Sequence, residues 1–308
     1  MQFNHFARGA VALAIAGFSL GLAAAPGGNG GGNGGGGGGP TVPEWVSPCT
    51  LDSVRITAAA PSNLAPNPVA LPGALSATSC YGVMSGNDGP LESADPNLGY
   101  LEDGLLNGGS FKGSQYVPPY QFLTMVGGDV PQDLDGDGQA DDPGWVFLGG
   151  MQGFNGELDY AQSFNGGNTL NMADVIKFTM SSTDGSGGSW RLDVAPNVKD
   201  VLEAAGIFNR SSFDHLAFVI KSGNEKSGGG WAVYDFNFNL LAGFDLSQPY
   251  RLSGDWNTDD FGGHAISHIS IWARDPITGG EVPVPGTLLL VGMGLLALYG
   301  CRFKAQRL

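Results

Sequence analysis

The densest run of chemistry-bearing side chains is Asp133-Leu134-Asp135-Gly136-Asp137-Gly138-Gln139-Ala140-Asp141-Asp142. Carboxylates at the first, third and fifth places of a loop, followed by glycine at the sixth, match the first half of a calcium-binding loop. The glycines let the backbone wrap so that oxygens converge. Gln139 stands where a backbone carbonyl ligates, and Asp141 stands at the ninth place. The twelfth place is Gly144 and not the usual bidentate Glu, and Pro131 and Pro143 flank the run, so no helix pair frames it. The expectation is a helix-less calcium loop formed by Asp133, Asp135, Asp137, Gln139 and Asp141, with Asp142 or a distant carboxylate completing the shell. Crowded carboxylates repel one another without a cation, which favours metal over a bare acidic turn. The role expected for the calcium is structural.

Other candidate groups are sparser. Glu157-Leu158-Asp159 invites comparison with retaining glycoside hydrolases of the laminarinase type, whose strand carries Glu-x-Asp followed by a second Glu. Retaining chemistry needs two carboxyl groups about 5 Å apart. Here Ala161 and Gln162 occupy the place of the second Glu, and an amide cannot serve as the acid. His215, His264 and His268 could be tried as a metal trio. On a strand, however, His264 and His268 would lie about 13 Å apart. Trp256, in the polar run Gly254 to Asp260, is the residue offered as a glycan contact, since aromatic faces stack on sugars. Most of the six tryptophans are expected in a core. No nucleophile elbow or phosphate-cradling glycine loop is present.

The elements that must position these groups read as strands. Val54 to Thr57 and Val146 to Leu148 are short strand candidates. Asp174 to Ser181 alternates with period two, placing Ile176, Phe178 and Met180 on one face, and Trp190 to Val194 alternates likewise after a Gly/Ser turn. His215 to Lys221, Trp231 to Phe238 and Ile266 to Ala273 follow. Asn197 to Gly206 is the one good helix, with Val198, Val201, Leu202 and Ala205 on one side. Pro61 to Pro72, with four prolines, reads as irregular loop, and Gly254 to Asp260 as polar loop. Short strands, Gly-rich turns and one short helix predict an all-β fold, an antiparallel β-sandwich of jelly-roll or lectin-like type.

Composition narrows the class of function. The chain has 308 residues, 52 of them glycine, and a formal net charge of −15. Four cations (Arg8, Arg302, Lys304 and Arg307) sit at the termini without any acid beside them, so −15 less these four leaves −19 on the residues between. Such a surface repels nucleic acid and anionic lipid. Residues 1–25 have the form of a secretory signal peptide: one cation, an apolar stretch, then Ala23-Ala24-Ala25. Residues 26–43 are a Gly-rich linker, and 44–277 the folded part. Cys49 and Cys80 are the cysteine pair in the exported part, and in an oxidising compartment they are expected to bond.

Residues 278–308 carry Pro283-Val284-Pro285-Gly286-Thr287, an apolar run over about 287–300, then Arg302, Lys304 and Arg307. The run is shorter than the ~20 residues that a spanning helix wants. This arrangement resembles the PEP-CTERM sorting signal of Gram-negative bacteria, with Val284 where the family usually has Glu. The stretches Phe213 to Gly223, Trp231 to Phe236 and Ile266 to Arg274 also resemble ectodomains found ahead of such signals, which implies a β fold and no particular reaction. The resemblance implies processing by an exosortase, transient anchoring in the inner membrane, surface or extracellular delivery, and company with exopolysaccharide. The resulting expectation is a non-enzymatic, calcium-stabilised surface or biofilm-matrix protein. A carbohydrate-binding module and a polysaccharide-active hydrolase are the alternatives.

Overall fold

In this computed structural model the described residues are 44–88, 96–111, 114–123, 131, 133, 138–140, 142–206, 213–223, 229–245 and 247–274. The first strands are β1 (Val54–Pro61), β2 (Val69–Ser76), β3 (Ser79–Met84), β4 (Ser110–Phe111), β5 (Ser114–Gln115) and β6 (Trp145–Gln152). Then come β7 (Gly156–Glu157), β8 (Asp159–Tyr160), β9 (Gln162–Asn165), β10 (Asn168–Asn171), β11 (Ile176–Ser182) and β12 (Gly187–Val194). Helix α1 (Val198–Ala205) leads to β13 (His215–Ser222), β14 (Gly230–Asn237), β15 (Tyr250–Asn257) and β16 (Ile266–Arg274).

Two six-stranded antiparallel sheets form the sandwich. The first runs β2-β1-β15-β12-β11-β7 and the second β3-β14-β13-β16-β6-β8. The fold class is therefore the β-sandwich expected. Strand β11 shows why the period-two pattern was informative: Ile176, Phe178 and Met180 are buried, while Lys177 and Ser181 face water. Strand β12 adds Trp190 and Leu192 to the same apolar face. Across the gap, Phe218 of β13 lies 4.9 Å from Trp190 and 6.1 Å from Phe178, centroid to centroid, joining the two sheets through aromatic contacts. Helix α1 buries Val198 and Leu202, and Gly206 closes it in the left-handed conformation, as its sequence predicts.

Two segments differ from their sequence reading. The proline-rich stretch contains β2, an edge strand hydrogen-bonded to β1 on one side only. Proline is tolerated there because an edge strand has no second partner that needs its N–H. The polar run before Asp260 belongs to β15, which pairs with both β1 and β12. Its alternation is Leu252, Gly254 and Trp256 inward against Arg251, Ser253 and Asp255 outward. Gly254 faces Trp190 across the ladder, and a Cβ added there would sit 1.8 Å from the Arg55 carbonyl and 2.6 Å from the indole. The large ring of Trp190 thus fits because its partner has no side chain.

The second sheet is buried on both faces: β13 and β14 have no exposed residue, and β6 and β16 have one each. Residues of the 96–123 segment supply part of the outer cover. Two of its asparagines act on β6. Asn97 donates to the Phe147 carbonyl at 2.9 Å and accepts from the Phe147 N–H at 2.8 Å. Asn107 does the same for Trp145, at 2.6 and 2.9 Å. Each carboxamide reproduces one rung of a β-ladder where β6 lacks a neighbouring strand. Cys49 and Cys80 are joined in a disulfide that ties the first described segment to β3. Closing a loop of this size contributes about 4 kcal/mol in the chain-entropy account.

Substituting Gly254→Ala should lower stability by about 3 kcal/mol through forced overpacking, read as a reduced urea midpoint. Gly73→Ala, where an added Cβ meets nothing within 4 Å, is the control and should leave the midpoint in place. An unshifted Gly254→Ala midpoint would contradict the close approach of Trp190.

Candidate functional site

Alternation along the second sheet sends Leu216, Phe218 and Ile220 of β13 toward the first sheet, as the Phe218 contacts show. It sends His215, Ala217, Val219 and Lys221 to the outer face. Register places Asn237, Asp235 and Trp231 of β14, and Arg274, Trp272 and His268 of β16, beside them. That face is covered, so its ionisable groups must be paired to be stable.

One cluster centres on His215, which is 1% exposed. Its Nδ1 lies 3.0 and 3.1 Å from the two carboxylate oxygens of Asp235. Ser79 Oγ donates to Asp235 at 3.2 Å. On the other side, His215 Nε2 is 3.4 Å from Arg274 Nη1 and 4.0 Å from Asp214. Arg274 donates through Nη2 to Asp142 at 3.0 Å and through Nε to the Pro143 carbonyl at 2.9 Å. Trp145 packs edge-on against the imidazole at 5.6 Å. Burial pulls the His215 pKa down. The charge of Asp235, the hydrogen bond to it and the charge of Asp214 more than offset that pull, against opposition from Arg274, and the net shift is upward. A second pair lies toward the other end of the same strands, where His268 Nε2 is 2.8 Å from both oxygens of buried Asp88. A further carboxylate, Asp260, collects the Tyr234 hydroxyl at 2.8 Å, the Ser53 hydroxyl at 2.9 Å and the Thr50 N–H at 2.9 Å.

The residues singled out from sequence are distributed differently from one another. In the acidic loop, Asp133 and Gln139 are exposed, and Asp133 Oδ2 accepts from the Gly138 N–H at 2.7 Å. Gly138 has a φ of +91°, which suits the sharp turn a calcium loop makes at its sixth place. Asp142 is buried and bonded to Arg274, so it fastens the end of the loop to the core. Asp135, Asp137 and Asp141 lie outside the described residues. No group of three or more metal-binding side chains occurs among the described residues.

Trp256 requires a correction as a glycan contact. It is 3% exposed, on the inward face of β15, because its neighbours Gly254 and Leu252 share that face. The tryptophan that is exposed is Trp45, at 56%, edge-on to Tyr81 at 5.8 Å. Glu157 and Asp159 do not share a strand: Glu157 is in β7 of the first sheet and Asp159 in β8 of the second, with Leu158 buried between. Glu157 instead pairs with Lys177 at 2.8 Å. His215 and His268 sit six residues apart along β13 and β16, about 20 Å at strand rise. His264 is exposed. The three histidines therefore share no site.

The His215–Asp235, His268–Asp88 and Arg274–Asp142 pairs were not read from sequence, because their partners lie 20, 180 and 132 residues apart. The available signal was a charged residue at the inward or covered place of a strand that is otherwise apolar.

Residues 281–304 match the PEP-CTERM protein-sorting motif. A motif of this kind marks an exported protein that is anchored at its C-terminus in a membrane, processed there by exosortase, a membrane enzyme, and displayed at the surface. The motif residues Pro283, Val284, Pro285, Gly286 and Thr287, the apolar run at 287–300 and residues 1–43 lie outside the described residues. Among the described residues no helix is long and apolar enough to cross a membrane. No curated protein and no solved structure matches the chain.

The raised His215 pKa makes a signed prediction. A histidine whose folded pKa exceeds its unfolded value of 6.5 contributes stability that is complete below that pH and is lost as pH rises through the folded value. The urea midpoint should therefore fall from about pH 6.5 upward. His215→Asn should be less stable at every pH, because Asp235 loses its partner, and should lack this component of the slope. Equal slopes in both proteins would remove His215 as the source.

Proposed function

We propose that the chain is a non-enzymatic component of the extracellular polysaccharide or biofilm matrix, with calcium stabilising the loop at Asp133–Asp142. The observation that carries this reading is the sorting motif at 281–304, which follows closely on a β-sandwich whose last described strand ends at Arg274. In that sandwich His215, His268 and Arg274 are engaged by Asp235, Asp88 and Asp142 beneath a cover. Asp133, Asp135, Asp137, Asp141 and the Gln139 carbonyl would hold the ion. Asp142, bonded to Arg274, would transmit the order of the loop to β16. The strongly acidic surface suits divalent cations as bridges to anionic polysaccharide.

A carbohydrate-binding module is the second reading, and one observation favours it. The outer face of the first sheet is open. Thr57, Ser253, Ser189, Thr179 and Ser181 line a shallow trough across four strands, β1, β15, β12 and β11. Longer side chains wall it. Arg55 and Asp255 pair at 2.8 Å on one side, and Arg191, Asp193 and Arg251 form a linked set on the other. Hydroxyl groups held between fixed ion pairs offer donors and acceptors to a linear polyhydroxylated chain.

The matrix reading predicts that the purified chain melts higher in calcium than in chelator, and that Asp135→Asn removes the difference. It predicts no affinity for neutral soluble glycans in either condition. Glycan binding that is lost in Thr179→Arg, which fills the trough, would move the assignment to the carbohydrate-binding module. A melting temperature indifferent to calcium would remove the metal. For the sorting step, replacing Pro283 and Pro285 with Ala should leave the chain uncleaved in the membrane fraction, as followed by immunoblot of fractionated cells.

A further inference from the structure

The sandwich holds an apolar cavity at the end where α1 crosses between the sheets. Its volume is about 120 Å³. Ile176, Leu192 and Leu252 wall it from the first sheet, and Leu148 and Leu216 from the second. Leu202 of α1 closes one side. The segment between β14 and β15 forms the other. It is braced by a run of rings, with Phe238 to Phe244 and Phe244 to Tyr250 each at 5.0 Å. The Asp245 N–H donates to the Tyr250 hydroxyl oxygen at 2.8 Å, which fastens the segment over the opening. Protein cores seldom keep voids larger than a water molecule. An apolar void of roughly 150 Å³ stays dry and admits a small apolar guest such as benzene.

The rim supplies the polarity of the guest. Lys199, exposed on α1, is the cation at the rim; the His215 ring is turned to the outer face and engaged by Asp235, and no carboxylate lines the cavity among the described residues, the Asp245 carboxylate beside it being held by Ser247 and Gln248. This selection is unusual in a chain with 29 acids against 14 Lys and Arg. A carboxylate head would find there one cation, Lys199, at the mouth of an otherwise apolar lining.

We propose that this end of the sandwich binds a small anionic amphiphile, an unbranched short-chain carboxylate whose tail fills the cavity and whose head meets the Lys199 ammonium. The site is separate from the acidic loop and from the trough on the first sheet. It does not depend on the matrix assignment.

The test uses octanoate and octanol as matched probes, binding to the full chain followed by calorimetry. The full chain keeps its own apolar tail, so the comparison is between variants that share it. Leu202→Trp, which fills the cavity, should weaken both probes by about tenfold or more. Lys199→Glu should weaken octanoate by at least about fivefold and leave octanol unchanged. Val198→Phe, narrowing the same space from the helix, replaces Leu202→Trp if that variant melts early. Three results overturn the proposal: no octanoate binding to the parent chain, octanoate binding indifferent to filling of the cavity, or equal losses of octanoate and octanol in Lys199→Glu.

Discussion

Burial of the second sheet on both faces is the constraint on which the rest of this molecule depends. A sheet facing water on one side can leave its polar side chains hydrated. This one cannot, because cover lies over its outer face. Every charged group there must find an opposite charge or a hydrogen-bond partner, since an isolated buried charge costs several kcal/mol. His215 with Asp235, His268 with Asp88 and Arg274 with Asp142 are the responses. The same requirement reaches the backbone. Strand β6 has β16 on one side and, along part of its length, no strand on the other. Asn97 and Asn107 supply the missing rungs with their side chains. The cover is held down by the same bonds that satisfy what it buries.

This arrangement explains which parts of the structure were legible in the sequence. The first sheet has one wet face, so β11 and β12 alternate, and their inward residues could be named from period alone. Strand β15 is the exception within that sheet. Gly254 and Asp255 carry the local signature of a turn, whereas the glycine is there to admit the Trp190 ring. Only knowledge of the partner strand distinguishes the two uses. Strand β2 was hidden by its prolines, which an edge position tolerates. On the second sheet the strands are buried on both sides, so their outer faces mix apolar residues with charges. The charges at 215, 235, 268 and 274 then look like scattered candidates for chemistry. Their pairing is set by topology and has no sequence spacing to announce it.

The candidate sites divide along the same line. The acidic loop was legible because calcium loops are local: their ligands are neighbours in the chain. The sorting motif was legible for the same reason. Trp256 failed as a glycan contact because exposure is a property of the assembled sheet. A tryptophan beside Asp and Asn sits equally well in a loop or at the inward place of a strand whose outward residues are polar. The open trough and the end cavity draw residues from four or more separated elements each, and no local pattern marks either.

Arg274, 1% exposed, is both the last residue of β16 and the clamp between His215 and Asp142. Strand β16 is interior to its sheet, flanked by β13 and β6. Tension applied through the C-terminal segment would enter the domain at this residue. Load directed along β16 would shear its two ladders at once, so many bonds would share the strain instead of parting one by one. The ion pairs at the point of entry would be the first to feel it. Resistance to pulling is governed by the barrier to unfolding and not by equilibrium stability. A buried clamp at the C-terminal end of a central strand is suited to a surface protein that must stay folded while its surroundings flow.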